Sequence, residues 1–273
     1  MNSADKLSIK SSDLDKINIL VIMFTDRISG PARQLFQLVK LINRSRFNVH
    51  IASTDTASGN SEFIREIENF GIPFEKLLQS SIVDPSPIKT VNNLIRNKYF
   101  NIVQSHGYKS AFIAFFARYF VKVPWVAFLH GHTTENLKVR LYHALEFKLV
   151  KHADRIITVS QEMRDRLVSR GLPAKKTIVI RNSFDPMQFA SFFAEENLRE
   201  KFGVSPEEKL IGVIGRFSSE KGVDVFLKAF KLLIQSGLPV KAILIGEGPL
   251  ENELRDYCLT QQIIDRVIFA GYQ

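Results

Sequence analysis

The chain has 273 residues, 45% of them hydrophobic, with 37 Lys and Arg against 28 Asp and Glu for a net charge of +9. This composition excludes a disordered or collagen-like chain and supplies enough apolar mass for one large or two modest domains, with two fitting the usual domain size better. A single cysteine, Cys258, excludes an internal disulfide and a cysteine-based zinc site and fits a reducing cytoplasm.

Residues 1–16 are polar and charged without periodicity and read as a loose leader. The apolar run Ile17–Phe24 reads as a first core strand. It does not fit a signal peptide, because Asp13 and Asp15 precede it and Thr25-Asp26-Arg27 stand where small cleavage-site residues belong. No apolar stretch reaches the roughly 18 uninterrupted residues of a membrane span. Ser29-Gly30-Pro31 then opens a helical pattern over Ala32–Asn43, with Pro31 suited to the first turn. Arg33 either assists that helix N-terminus or makes a surface ion pair. Further strands are predicted at 48–53, 102–104, 125–129, 155–159 and 177–180, and helices at 61–69, 110–120, 134–151 and 161–169. Strands alternating with helices argue for a parallel sheet covered on both faces.

Two of those strands end in histidines. His106 follows 102–104, and His130, Gly131 and His132 follow 125–129. Open α/β sheets place their ligands at strand carboxyl ends, so these side chains either reach substrate or are polar loop residues. No acidic or thiol ligand lies at a helpful spacing, so no metal is expected. The run Phe112, Ile113, Phe115, Phe116, Tyr119 and Phe120, flanked by Arg118 and Lys122, suits either core packing or a membrane interface.

The rhythm breaks near Phe184–Phe193, at Pro186 and a polar cluster. The predicted domains are therefore 17–184 and 210–273, joined by a linker over 185–209. The second domain opens with Leu210, Ile211, Val213 and Ile214, read as a strand buried on both faces and ended by Gly215. Val223, Phe226, Leu227, Phe230 and Ile234 recur at helical spacing, so Arg216 and Lys221 stand on a turn at a helix N-terminus. Such a turn either holds phosphate, Arg216 as a fork and Lys221 as a point charge, or is a solvated loop. A strand at 240–245, a helix at 249–262 and a strand at 267–270 complete this part. Three strands are few for a doubly wound domain, so the domain is expected to be truncated, with its last strand at an edge.

Together these residues resemble the glycosyltransferases of the GT-B fold, specifically the retaining family 4. The resemblance runs from Ile17 to the last residue. It is carried by GRFSSEKGVDVFLKAF, ILIGEGPLENEL and VIFAGY, and more weakly by VQSHGYKS, FLHGHTTE, ADRIITVSQEMRDRL and VIRNSFDPMQF, with Asn182, Asp185 and Phe189 in matching places. It implies an α/β chain of two Rossmann-like doubly wound domains facing a cleft, with the second incomplete. It also implies a sugar moved with retention from a nucleotide-sugar in the second domain to a glycan or lipid-linked acceptor at the first, in cell-surface polysaccharide synthesis. Arg216 and Lys221 match the pair that neutralises the donor diphosphate, Gly246, Glu247 and Gly248 match a donor-domain loop, and His130 matches the active-site histidine. Gly30, Arg33 and His106 are the expected acceptor or loop contacts, and Ser29 replaces a second glycine of that loop. Family members continue into a base-binding loop and a pair of glutamates that this sequence does not contain. The alternative is accordingly a non-catalytic module that binds an acceptor or partner. The expected partners are a nucleotide-sugar, the acceptor and an anionic membrane touched peripherally on the inner face of the plasma membrane, with no cofactor. No basic recognition helix or aromatic RNA-binding motif is present, so nucleic acid is not expected.

Overall fold

The computed structural model describes residues 16–54, 61–77, 84–131, 137–187 and 197–273, apart from the side chains of Leu137 and Lys138. Residues 1–15 of the expected leader over 1–16, His132, the helix start at Thr134 and Phe189 lie outside the described residues. The chain divides into two compact units between Phe184 and Asp185.

The first unit runs β1 (Ile17–Met23), α1 (Gly30–Leu41), β2 (Phe47–Ser53), α2 (Glu62–Asn69), β3 (Phe74–Lys76), α3 (Ser86–Asn97) and β4 (Ile102–His106). It continues through α4 (Tyr108–Phe120), β5 (Trp125–Leu129), α5 (Leu137–Val150), β6 (Arg155–Thr158), α6 (Gln161–Ser169) and β7 (Thr177–Val179). Its seven strands are parallel in the order β3-β2-β1-β4-β5-β6-β7. The chain winds outward from β1 to β3 and returns to β4 on the other side of β1. The sheet therefore reverses between β1 and β4, the place where such sheets open a crevice.

Period-two alternation explains how β1 serves both layers. Leu20 and Ile22 point into a core with Val91, Ala114 and Trp125, while Ile19, Val21 and Met23 point into another with Leu35, Ile51 and Phe63. Serine caps fix the helix starts: Ser29 accepts from Ala32 N at 3.4 Å, Ser61 from Ile64 N at 3.3 Å and Ser160 from Met163 N at 3.1 Å. Each such cap is worth about 1 kcal/mol.

In the second unit, a short helix α7 (Leu198–Lys201) precedes β8 (Lys209–Ile214), α8 (Val223–Gln235), β9 (Val240–Ile245), α9 (Glu251–Thr260) and β10 (Val267–Gly271). Among the described strands these form a parallel sheet with β9 central. Its core gathers Phe217, Leu227, Phe230, Leu244, Leu254 and Cys258. One expectation is corrected here: β8 is not buried on both faces. It pairs only with β9 among the described strands, so Ile211 and Val213 pack on the core while Ile214 is 80% exposed.

Candidate functional site

In the first unit, the carboxyl ends of β1, β4 and β5 surround a cavity of about 180 Å³. His106 closes β4 as its last residue, and His130 follows β5 directly. Because β4 and β5 are hydrogen-bonded neighbours, the two rings meet: His106 Nδ1 lies 2.9 Å from His130 Nε2. His106 also stacks on its cross-strand neighbour Phe128, with ring centroids 4.6 Å apart. Burial lowers the pKa of His106 to about 3, with His130 adding a smaller push, and burial lowers that of His130 to about 4. Both imidazoles are therefore neutral at pH 7.

Neutrality fixes what the pair can offer. One ring donates the shared proton and the other accepts it, so of the two remaining nitrogens one carries N–H and one is a bare acceptor. Those two, His106 Nε2 and His130 Nδ1, are buried and have no hydrogen-bond partner among the described residues. A donor and an acceptor side by side in a partly apolar wall suit a hydroxyl-bearing ligand. The N-termini of α1 and α4 line the same cavity through Ser29, Pro31, Gly107 and Tyr108 and favour oxygen-rich or anionic groups.

Sequence reasoning missed two residues of this cavity, His143 and Glu146 on α5. Glu146 is only 3% exposed, and its Oε2 lies 3.4 Å from His143 Nδ1. Tyr108 stacks on Tyr142 at 4.9 Å. Its hydroxyl pKa is raised by burial, then by Tyr142 and Glu146. The only trace of this group in the sequence is the three-residue spacing that puts His143 and Glu146 on one helix face. Two expected contacts are not brought into the cavity lining. Gly30 is the first residue of α1 and exposed, with open space where a Cβ would stand, and Arg33 is exposed on the same helix.

In the second unit the basic turn is held by another loop. Past the ends of β8 and β9 the two chains keep bonding: Gly215 N donates to Ile245 O at 2.9 Å, Phe217 N to Glu247 O at 3.0 Å and Leu250 N to Phe217 O at 3.1 Å. Only glycine permits this approach. A Cβ on Gly246 would fall 2.1 Å from Gly215 O, and one on Gly248 would fall 2.3 Å from Phe217 O. Phe217 is fully buried and anchors the turn between exposed Arg216 and exposed Lys221. Gly222, at φ +62°, caps α8 in the left-handed region, and the stem of Lys221 lies over Gly215. Glu220 joins the two cations. Its carboxyl is held below the usual range by the Ser218 hydroxyl at 2.7 Å, by backbone, and by Arg216 and Lys221. The turn is thus a charged, solvent-facing surface at a helix N-terminus, unlike the half-buried neutral pair in the first unit.

A seven-stranded parallel α/β unit followed by a second parallel α/β unit defines the GT-B class. A solved structure with this fold, Anabaena Alr3699/HepE in complex with UDP and glucose, superposes with a TM-score of 0.75 at 21% identity, covering 94% of this chain and 70% of that one. The family model described as Glycosyltransferase Family 4 matches residues 28–188, more than half of the chain, and that described as Glycosyl transferases group 1 matches 194–273. The chain belongs to glycosyltransferase family 4. It is 23% identical to UDP-Gal:alpha-D-GlcNAc-diphosphoundecaprenol alpha-1,3-galactosyltransferase of Escherichia coli, over 94% of this chain and 69% of that protein. It is 24% identical to the capsular polysaccharide biosynthesis glycosyltransferase CapM of Staphylococcus aureus, over 82% and 61% respectively. The chain spans between 47% and 69% of the length of the first curated relatives it matches.

Proposed function

We propose that this chain serves the transfer of a sugar from a nucleoside-diphosphate sugar to a glycan or lipid-linked acceptor of a cell-surface polysaccharide. The observation that carries this reading is the turn Arg216–Gly222, fixed by backbone bonds to the Gly246–Gly248 loop at the start of α8. Charge develops on the diphosphate as the glycosidic bond breaks. Arg216, Lys221 and the positive N-terminal end of α8 stabilise it, with no metal ion in that role. In the first unit, the neutral His106–His130 pair hydrogen-bonds hydroxyls of the transferring sugar or acceptor. The reading draws support from the Escherichia coli relative, whose name specifies transfer from a UDP-sugar to a lipid-linked acceptor, and from the Anabaena structure with UDP and glucose. Calorimetric titration of the folded chain with UDP, GDP and their sugars tests it. Nucleotide-specific binding that persists in EDTA is expected, and no binding to any of them would overturn the donor assignment.

The acceptor reading extends to a peripheral contact with an anionic bilayer on the inner face of the plasma membrane. On α4, Phe112, Tyr119 and Phe120 are exposed, as are Leu141 and Leu145 on α5, which packs beside it. Lys109, Lys122, Arg140 and Lys148 are exposed on or next to the same helices. Aromatic and leucine side chains with basic neighbours fit a headgroup layer, each cation near an anionic leaflet adding about 1 kcal/mol. Arg118 does not join them. Its guanidinium binds both carboxylate oxygens of Asp154, at 2.8 and 3.0 Å, and the carbonyl of His152. Ile113 is also withdrawn, buried in the core. No helix among the described residues is long and apolar enough to cross a membrane. Flotation with vesicles should require anionic lipid and weaken in Tyr119→Ser with Phe120→Ser; flotation independent of lipid charge would contradict it.

A further inference from the structure

On its β1 side the histidine cavity is walled by a loop, and that loop is held by an element outside the cavity. Met23 is the register partner of His106, so the residues after it stand on the β1 side of His106 while His130 stands on its β5 side. Phe24, Thr25 and Ser29, between β1 and α1, line the cavity there. Within the loop, Thr25 Oγ1 donates to Arg27 O at 2.8 Å and Ser29 N donates to the same carbonyl at 2.9 Å. These bonds shape the turn without fixing where it lies.

Three further hydrogen bonds fix its place, and all three run to the start of α2. Ile28 N donates to Glu62 Oε2 at 3.0 Å, Phe63 N donates to Asp26 O at 3.3 Å, and Ser61 Oγ donates to that same carbonyl at 3.4 Å. The anchor is well seated: Ser61 is 2% exposed and caps α2, and Phe63 is fully buried. Ile28 packs on the core that contains Phe63. The bond from Ile28 is the shortest of the three, and its acceptor is a carboxylate, the stronger kind of partner for a backbone N–H. Glu62 does not line the cavity, but the amide it holds belongs to the residue directly before Ser29.

We propose that Glu62 is a positioning residue of the histidine cavity: by holding the Ile28 amide it sets Thr25 and Ser29 beside the His106–His130 pair. The proposal rests on the reading of that cavity as the place where sugar or acceptor hydroxyls bind. Hydroxyls are recognised by donors and acceptors at fixed points, so a wall displaced by about 1 Å loses its match to the histidines. Ser29 caps α1 through its side chain, so a shift at Ile28 passes directly to the helix start that lines the cavity. An acidic residue in the first turn of α2 also favours that helix through its charge. The two roles are separable. Glutamine keeps an oxygen for the Ile28 amide without the charge, whereas aspartate keeps the charge but falls one methylene short of the amide.

The test compares the 273-residue chain with Glu62→Ala, Glu62→Asp and Glu62→Gln, and with Ser160→Ala, which removes the cap of α6 and controls for general destabilisation. In amide NMR, Glu62→Ala and Glu62→Asp should speed hydrogen exchange at Ile28 about tenfold or more and shift the Thr25 and Ser29 amides. Glu62→Gln should restore most of both, and Glu62→Asp keeps the comparison usable if Glu62→Ala unfolds. Ser160→Ala should lower the melting temperature and leave these amides in place. In transfer from UDP-glucose to octyl β-D-glucopyranoside, Glu62→Ala and Glu62→Asp should raise KM for the glucoside about tenfold at unchanged UDP affinity, with Glu62→Gln within about threefold of the unaltered chain. Unmoved amides at Thr25 and Ser29, a moved loop with unaltered KM, or glutamine behaving as alanine while aspartate behaves as glutamate would overturn the proposal. Absence of transfer by the unaltered chain counts against the sugar-transfer reading instead, and the amide shifts then decide the placement by themselves.

Discussion

The histidine cavity of the first unit and the basic turn of the second stand at equivalent places, each where a parallel strand hands over to a helix, yet they are built on opposite electrostatic terms. His106 and His130 are half-buried, with their outer ring nitrogens out of solvent, and desolvation keeps them uncharged. Arg216 and Lys221 are exposed cationic side chains, and the Glu220 carboxyl beside them is held below its usual range. A neutral pair gives direction: one donor and one acceptor at fixed points, insensitive to salt. A solvated cationic turn gives attraction to phosphate, which salt screens. Under the proposed function this difference is a division of labour, with sugar hydroxyls oriented in one unit and diphosphate charge held in the other.

Four changes would break or sharpen that contrast. The largest effect is expected from His130→Ala, which removes one half of the hydrogen-bonded pair. Transfer measured with a nucleotide-sugar donor should fall about 10²- to 10³-fold while UDP affinity is unchanged. A parallel loss of UDP affinity would erase the division. Next comes Gly248→Ala, whose Cβ meets the Phe217 backbone. Forcing the loops apart should cost about 3 kcal/mol, seen as a lower melting temperature of the second unit together with weaker nucleotide binding.

The pH response separates the two regions again. The folded pKa values of His106, His130 and His50 lie below the ordinary 6.5, at about 3, 4 and 4. Between those values and 6.5 the unfolded chain binds more protons than the folded one. Stability from these groups is therefore complete above pH 6.5 and is lost as pH falls toward 4, by about 2 kcal/mol per histidine between pH 6.5 and 5. Urea unfolding at pH 7 and pH 5 should show this loss in the first unit, and His50→Asn should reduce it. The smallest effect is expected from Glu220→Gln, which removes the anion beside the two cations. UDP should bind about threefold tighter, with a gain that shrinks as salt is raised.

Much of this architecture is legible in the sequence because its signals are local. Each apolar run from Ile17 to Val267 that reads as a strand forms one, and the helices over 161–169 and from Val223 follow their apolar spacing. Three elements escape. β3 has only three residues, too short to show alternation, α3 carries Pro87 and two adjacent asparagines, which hide the spacing of Val91, Leu94 and Ile95, and α7 is a single four-residue turn inside the expected linker. The exposure of Ile214 also escapes, because a run of apolar letters does not tell an edge strand from a central one. At the candidate sites, spacing reveals Arg216 and Lys221 on a helix-start turn. It does not reveal the backbone pairing that makes Gly246 and Gly248 obligatory, since that contact joins loops 30 residues apart. The ring-to-ring contact of His106 with His130 likewise depends on β4 lying beside β5, and Glu146 is placed by the fold of α5 over the same cavity.

The most direct test of the divided roles is the affinity for UDP, measured by calorimetry, of the unaltered chain, the Arg216→Ala and Lys221→Ala double variant, and His130→Ala. Each charge-assisted contact is worth roughly 1.5–3 kcal/mol, so the double variant should lose at least about a hundredfold in affinity while His130→Ala binds as the unaltered chain does. Equal affinity in all three, or a loss confined to His130→Ala, would contradict the assignment of the diphosphate to the turn.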